Sequence, residues 1–180
     1  GSLTNPKRIA NALASVKGSN LSVNTVRRYL DQMCDAFLFE TAKRYDVNGR
    51  RYFDTPQKYY AADVGLRNAR LNFRQIEENH IMENVIFNEL RVRGFSVDVG
   101  VVDVTETEGD VRKAKQLEVD FIATKGAEKF YIQSAYEMAT QDKLKQEKRS
   151  LVKIDDSFRK IIVVKDNISA RIDEDGIVSV

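Results

Sequence analysis

The run Leu117-Glu118-Val119-Asp120-Phe121-Ile122, followed after Lys125-Gly126-Ala127-Glu128 by Tyr131-Ile132-Gln133-Ser134-Ala135-Tyr136, constrains this chain more than any other feature. Its β-branched and aromatic residues, broken by a glycine-containing turn, predict two adjacent strands over 116–123 and 129–136. Each strand carries an oxygen-bearing side chain, Asp120 on the first and Gln133 on the second, and Ala135 stands two residues beyond Gln133. A metal held by carboxylates activates water and neutralises phosphate charge, while a neighbouring ammonium orients the nucleophile and stabilises the transition state. Alanine can do neither. The pair of strands therefore predicts part of a phosphate-handling set with its lysine missing.

Around these strands the periodicity lays out a mixed α/β module over 69–180. Val85, Ile86 and Leu90, with Ile81 and Met82, predict a helix over 81–92 that turns those side chains inward and ends at Gly94 as a left-handed cap. Residues 95–104 alternate as a strand, whereas 106–115 are polar, charged and without a core pattern, which predicts a loop. A charged helix over 142–152 follows. Lys160-Ile161-Ile162-Val163-Val164 then reads as a strand buried on both faces, and the ends 170–172 and 177–180 as an edge hairpin turned at Asp173-Glu174-Asp175-Gly176.

Residues 1–68 read differently. Ile9, Ala10, Leu13 and Val16 predict a first helix, and Lys17-Gly18-Ser19-Asn20 a turn. Ser22 then caps a second helix whose inner face holds Val23, Val26, Leu30, Met33 and Phe37. Strands over 38–45 and 51–60 flank Asn48-Gly49, a pair suited to a tight turn with positive φ at both central residues. The segment 61–67 joins this module to the next. Helix, helix and hairpin is the order of a winged helix whose usual first helix lies upstream of Gly1. Such a fold offers its second helix to the major groove and its wing to the backbone. Asn24, Arg27 and Arg28 would then face bases or phosphates, and Arg50 and Arg51 would lie on the wing. The alternative is a protein-docking platform whose arginines are simply solvated.

Composition excludes several classes. With 42% hydrophobic residues in 180, the chain can bury a core. One cysteine, Cys34, and one histidine, His80, exclude an internal disulfide framework and a Cys/His zinc site built within one chain, and they fit a reducing, cytoplasmic setting. Cys34 is expected as a core filler and His80 as a loop or helix-start residue. No stretch approaches the roughly 20 apolar residues of a membrane span, and no charged-then-apolar leader is expected ahead of the fold. The opening Gly1-Ser2 reads as a cloning remnant and Val180 stops inside an apolar run, so a fragment of a longer protein is expected. Residues 1–68 hold 11 Lys/Arg against 6 Asp/Glu, and residues 69–180 hold 18 against 21, which favours a polyanion such as DNA on the first module.

The order helix, three strands, helix, strand, with Glu83 on the first helix, Asp120 at a strand start and Gln133 on the next strand, is the plan of the PD-(D/E)XK nuclease-like fold. The expected architecture is thus a partial winged helix over 1–68 and a restriction-endonuclease-like mixed sheet flanked by helices over 69–180. Glu83, Asp120 and Gln133 are the candidate catalytic residues, with Glu83 and Asp120 as ligands of Mg²⁺ or Mn²⁺, since hard oxygen donors favour those ions over zinc. Lys129, Lys143 and Lys145 are the candidates for an ammonium arriving from elsewhere. Against this, Glu83 could serve only as a salt-bridge partner, Asp120 as a strand cap, and Gln133 as a satisfied amide in a polar pocket.

Four strings taken together carry a family resemblance: Lys58-Tyr59-Tyr60 with Asp63-Val64-Gly65-Leu66-Arg67; Glu83-Asn84 with Glu89-Leu90-Arg91 and Gly94; Glu118-Val119-Asp120-Phe121; and Tyr131-Ile132-Gln133. In order and spacing they resemble the C-terminal region of a large prokaryotic family of AAA-type P-loop ATPases, itself a domain of unknown function. The resemblance implies an upstream ATPase module, a central winged helix and a nuclease-like end in which many members carry glutamine and a non-lysine where active nucleases have the ExK pair. This chain departs from the family in one place, with Glu147-Lys148-Arg149 where an Arg-Glu pair is usual. It has no GxxxxGK[ST] loop, so ATP is expected only on the missing upstream part. The expectation is a recognition or regulatory region with a degenerate site, engaging nucleic acid or a protein partner. A divalent-metal DNA endonuclease and a module for homo-oligomerisation or protein docking are the rivals.

Overall fold

A computed structural model describes residues 2–74, 77–108, 111–136 and 141–180. Two helices open the chain, α1 (Pro6–Lys17) and α2 (Val23–Asp35). Proline at the first position and the Asn5 side chain, which accepts from the Arg8 amide at 2.8 Å, start α1, and Gly18 at φ 62° ends it. Ser22 caps α2 as its position predicts, accepting from the Thr25 amide at 3.1 Å. The predicted inner face of α2 holds only in part. Val26 is buried, but Val23 and Met33 are exposed and Phe37 lies beyond the helix, 81% exposed with φ 57°.

The strands β1 (Phe39–Asp46) and β2 (Arg51–Ala61) form the expected hairpin, with a different turn. Asn48 and Gly49 do not take positive φ; Arg50 does, at 52°. The Asp46 carboxylate folds over the loop and accepts from the Gly49 amide at 2.9 Å, and a Cβ on Gly49 would lie 2.3 Å from that carboxylate. Glycine is needed there for space, not for handedness.

After the hairpin come α3 (Val64–Arg70), which replaces the expected plain joint, and α4 (Glu78–Val92), ended by Gly94 at φ 82°. Then follow β3 (Ser96–Glu108), β4 (Val111–Lys125), β5 (Glu128–Ala135), α5 (Gln141–Val152), β6 (Arg159–Val164), β7 (Arg171–Ile172) and β8 (Val178–Ser179). The segment 106–115, expected to be a loop, is instead the outer part of a long β3–β4 ladder that pairs Thr105 with Ala114 and Glu106 with Lys113; residues 109–110 lie outside the described residues. Its backbone hydrogen bonds hold it extended although neither face has an apolar rhythm to betray it.

All eight strands join one mixed sheet in the order β2-β1-β3-β4-β5-β6-β8-β7. The β1–β2 hairpin does not stand apart as a wing, because β1 runs parallel to β3 and pairs Arg44, Tyr45 and Asp46 with Val99, Gly100 and Val101. Strands from both sides of residue 68 therefore share a sheet. β6 is parallel to β5 and to β8, as a run buried on both faces favours.

One core lies on each face of the sheet. Phe87 of α4 packs with Ala42, Tyr60, Val97, Val99, Phe121 and Ile132. Leu151 of α5 packs with Val102, Val119, Ile122, Tyr131, Ile154 and Ile162. The buried stripe of α4 is not the expected apolar one: Glu83, Asn84 and Phe87 are buried, Ile86 and Leu90 partly so, and Val85 is exposed. Two polar residues have taken core positions. Among the described residues no helix is long and apolar enough to cross a membrane.

Candidate functional site

The site begins with a fault in strand pairing. Asp98 pairs with Ile122 and Gly100 with Val119, so Asp120 and Phe121 together oppose the single residue Val99. Such a bulge turns both extra residues toward one side of the sheet. Here Phe121 enters the core under α4 while Val119 and Ile122 enter the core under α5, and Asp120 follows Phe121 to the α4 side. Since β4 starts at Val111, Asp120 sits inside the strand and does not open it as the sequence predicts.

Asp120 is held from β5. Its Oδ2 accepts from the Ser134 amide at 3.0 Å, and its own amide donates to Gln133 Oε1 at 3.3 Å. The other end of the Gln133 amide donates to Glu147 Oε2 on α5 at 3.1 Å. The side chains of Asp120 and Gln133 thus carry the contact between β4 and β5 beyond Phe121 and Ile132, where their backbone register ends.

The ammonium absent from position 135 arrives from β2. Lys58 Nζ lies 2.8 Å from Glu83 Oε1, 2.7 Å from Glu118 Oε1 and 3.3 Å from Asp120 Oδ1, with only 3% of its side chain exposed. The three lysines proposed from sequence are elsewhere. Lys129 lies over the rings of Tyr45, Tyr131 and Phe158, and Lys143 and Lys145 are exposed on α5. Tyr60, two residues along the strand from Lys58 and so on its face, stacks on Phe87 at 4.1 Å and donates to Glu83 Oε1 at 2.6 Å. Asn84, next to Glu83, fixes α4 to the hairpin by accepting from the Ala61 amide at 2.9 Å and donating to its carbonyl at 2.8 Å.

The ammonium is shared unequally, and the proton affinities follow. For Lys58, burial works against the charge, yet Asp120, Glu83 and Glu118 outweigh it and hold the amine protonated well above its ordinary range. Glu83 is likewise opposed by burial but is pulled below the usual carboxylate range by Lys58. Asp120, farther from the ammonium, is pushed up to about 6, chiefly by burial and then by the charges of Glu83 and Glu118. Burial raises Glu147, and burial together with Glu83 raises the Tyr60 hydroxyl far out of the physiological range. Shifts of both signs inside one cluster mark a place where charge is held under tension.

The cluster lines an open cleft of about 410 Å³ bordered by Lys58, Asn79, His80, Glu83, Glu118, Asp120, Gln133, Ser134 and Glu147. The structure therefore brings Glu83, Asp120 and Gln133 together and adds Lys58, Glu118, Tyr60 and Glu147. Among the described residues no three His, Cys, Asp or Glu side chains are already arranged as a metal cage; the carboxylates gather around Lys58. His80 is in the first turn of α4 beside Glu77, with its Nδ1 in contact with that carboxylate. Cys34 is half-buried, and burial raises its thiol, as suits a filler and not a nucleophile. Asn24, Arg27 and Arg28 are exposed on α2, Arg50 is exposed in the hairpin loop, and Arg51 is exposed but bonded to Asp46 at 3.3 Å. None of these five lines the cleft.

The missed lysine left one signal. Lys58 and Tyr60 alternate inward on a strand that ends in buried Ala61, so a charged residue held an inward position with no apolar reason to be there. Glu118 left a similar one, two residues before Asp120.

Residues 1–77 match the model of a family described as Domain of unknown function (DUF8612). The chain is 37% identical over 163 residues to an uncharacterized protein of Haemophilus influenzae, covering 91% of this chain and 37% of that protein. It is 30% identical over 165 residues to an uncharacterized protein of Methanocaldococcus jannaschii, covering 89% of this chain and 34% of that one. The chain thus spans about a third of the length of the curated relatives it matches. No solved structure matches it significantly.

Proposed function

We propose that the cleft is a phosphodiester-cleaving site of the nuclease-like type, within a region that engages nucleic acid as part of a longer P-loop ATPase. One observation carries the reading: Lys58 Nζ stands 2.7 to 3.3 Å from three carboxylates at the cleft floor, supplying from β2 the ammonium that β5 lacks. A protonated amine there would pair with a phosphate oxygen as charge develops on it. Gln133 and the Ser134 amide hold Asp120 in place, while Tyr60 and Lys58 hold Glu83.

The oxygen donors are of the type a hard divalent ion takes, although they are turned toward Lys58 and not arranged as a cage. Three carboxylates face one ammonium, so negative charge is left over. Glu83 and Asp120, with Glu118, are the residues that would hold Mg²⁺ or Mn²⁺ after turning from Lys58. Such an ion supplies an activated water and neutralises the phosphate.

The test is relaxation or linearisation of a supercoiled plasmid in Mg²⁺ or Mn²⁺. Cleavage should be lost in Asp120→Asn and in Lys58→Met, each first shown to be folded by circular dichroism. Absence of cleavage by the unaltered chain under both metals would end this reading.

A second reading, recognition without cleavage, is favoured by Arg27 and Arg28, which are exposed and make no ion pair among the described residues. It expects DNA binding that weakens steeply with salt and loses slope on Arg27→Ala or Arg28→Ala. The upstream ATPase domain rests on the family resemblance and on the greater length of the relatives, DNA on the basic first module, and the cytoplasmic setting on the lone cysteine.

A further inference from the structure

We propose that the chain pairs with a second copy of itself through the groove between α2 and α3, on a surface distinct from the cleft floor. The groove has a volume of about 670 Å³ and is lined by Met33, Leu38, Phe39, Tyr59, Leu66 and Leu71, with the guanidinium groups of Arg67 and Arg70 among them. Beside it stand two aromatic knobs. Phe37 is 81% exposed and directly precedes the lining residue Leu38; Phe73 is 66% exposed and lies two residues past the lining residue Leu71. Both take positive φ, 57° just past the C-cap of α2 and 53° three residues past α3, where Asn72 before it does the same at 52°.

That placement is informative. The residue after a helix takes left-handed φ readily when it is glycine and with strain when it is bulky. At Phe37 and Phe73 the chain accepts that strain and also leaves each ring in water. A ring held in this way gains only if something covers it.

The occupant is identified by self-complementarity. A two-fold interface uses one patch twice, so it needs knob and hole, and charge and counter-charge, side by side on a single surface. The knobs adjoin the hole in sequence. Asp31 and Asp35 are exposed on α2 near Cys34, Asp31 also lies near the groove residue Tyr59, and Arg67 and Arg70 line the groove from α3 beside Asp63, whose carboxylate is taken up in capping that helix. Arg70 makes no ion pair among the described residues. An acidic border on one helix and a basic border on the next, around an apolar floor, match the same patch turned through 180°.

Sedimentation velocity on the 180-residue chain from about 1 to 100 µM gives the test, a range that covers micromolar pairing. A monomer–dimer equilibrium is expected. Phe37→Asp should weaken it by at least about tenfold, as loss of a central aromatic anchor does. Phe37→Gly relieves the backbone strain, so it keeps the fold while also weakening the dimer. Arg70→Glu should weaken pairing, and Asp31→Arg in the same chain should restore part of the loss. A monomer throughout the range, or a dimer indifferent to both Phe37 variants, overturns the proposal.

Discussion

The two faces of the sheet are built to different ends. Under α5 the packing is continuous and apolar, with Leu151, Ile154, Ile162 and Ile177 fully or almost fully buried. Under α4 the same strands bury Lys58, Glu83 and Asn84 beside Tyr60 and Phe87. Burying apolar groups stabilises in proportion to area, whereas a buried ion pair must first recover the hydration it loses and often only breaks even. The difference teaches where stability resides and where chemistry resides. The α5 face is apolar throughout, whereas the α4 face joins an apolar core around Phe87 to a buried charge cluster at its border.

The largest test removes the apolar support. Leu151→Ala leaves a cavity in a fully buried position and should lower unfolding free energy by about 4 kcal/mol in urea denaturation. A loss below about 1 kcal/mol would mean that the two faces contribute alike. Lys58→Met comes next, at about 3 kcal/mol near pH 7.5, because it strands buried carboxylates. That loss should shrink toward pH 4.5 as they become neutral; a pH-independent loss would show that Lys58 acts by packing alone.

Asp120→Asn should act in the opposite direction. Its folded pKa of about 6 is raised above the ordinary carboxylate value, so the stability from this group is fully present below that ordinary value and is lost as pH rises through 6. The variant should therefore exceed the unaltered chain by about 2 kcal/mol at pH 8 and match it at pH 4. Equal stability at both pH values would remove the charge tension inferred for the cleft. Smallest is Gly100→Ala. A Cβ there would stand 2.9 Å from Val119 Cβ and 3.2 Å from Ile122 Cγ1, opposite the bulge, and should lower stability by about 1.5 kcal/mol. A melting temperature unchanged by that substitution would show that the ladder at the bulge has room to relax.

The sequence disclosed the apolar face and much less of the polar one. β6, the terminal hairpin and the caps at Ser22 and Gly94 were legible because each depends on local pattern or backbone handedness. The inward stripe of α4 was misread because hydrophobic periodicity assigns apolar residues to the core, and here Glu83 and Asn84 occupy it with partners on β2. The β3–β4 ladder was missed since backbone pairing alone holds its outer part. In the cleft, Glu83, Asp120 and Gln133 could be picked out by type and spacing. Lys58 could not be assigned, because its place beside them depends on the parallel pairing of β1 with β3, which no local pattern encodes.

That pairing consists of three residue pairs, Arg44 with Val99, Tyr45 with Gly100 and Asp46 with Val101. The strand bearing Lys58 and Tyr60 reaches the rest of the sheet only through β1. Anything that pulls on the hairpin or on the two helices before it works against this short seam and against the bonds from Asn84 to Ala61; where both part, the amine leaves and the carboxylates repel one another. The cleft thus draws its amine from one half of the chain and its carboxylates from the other, and is whole only where the two are seated together.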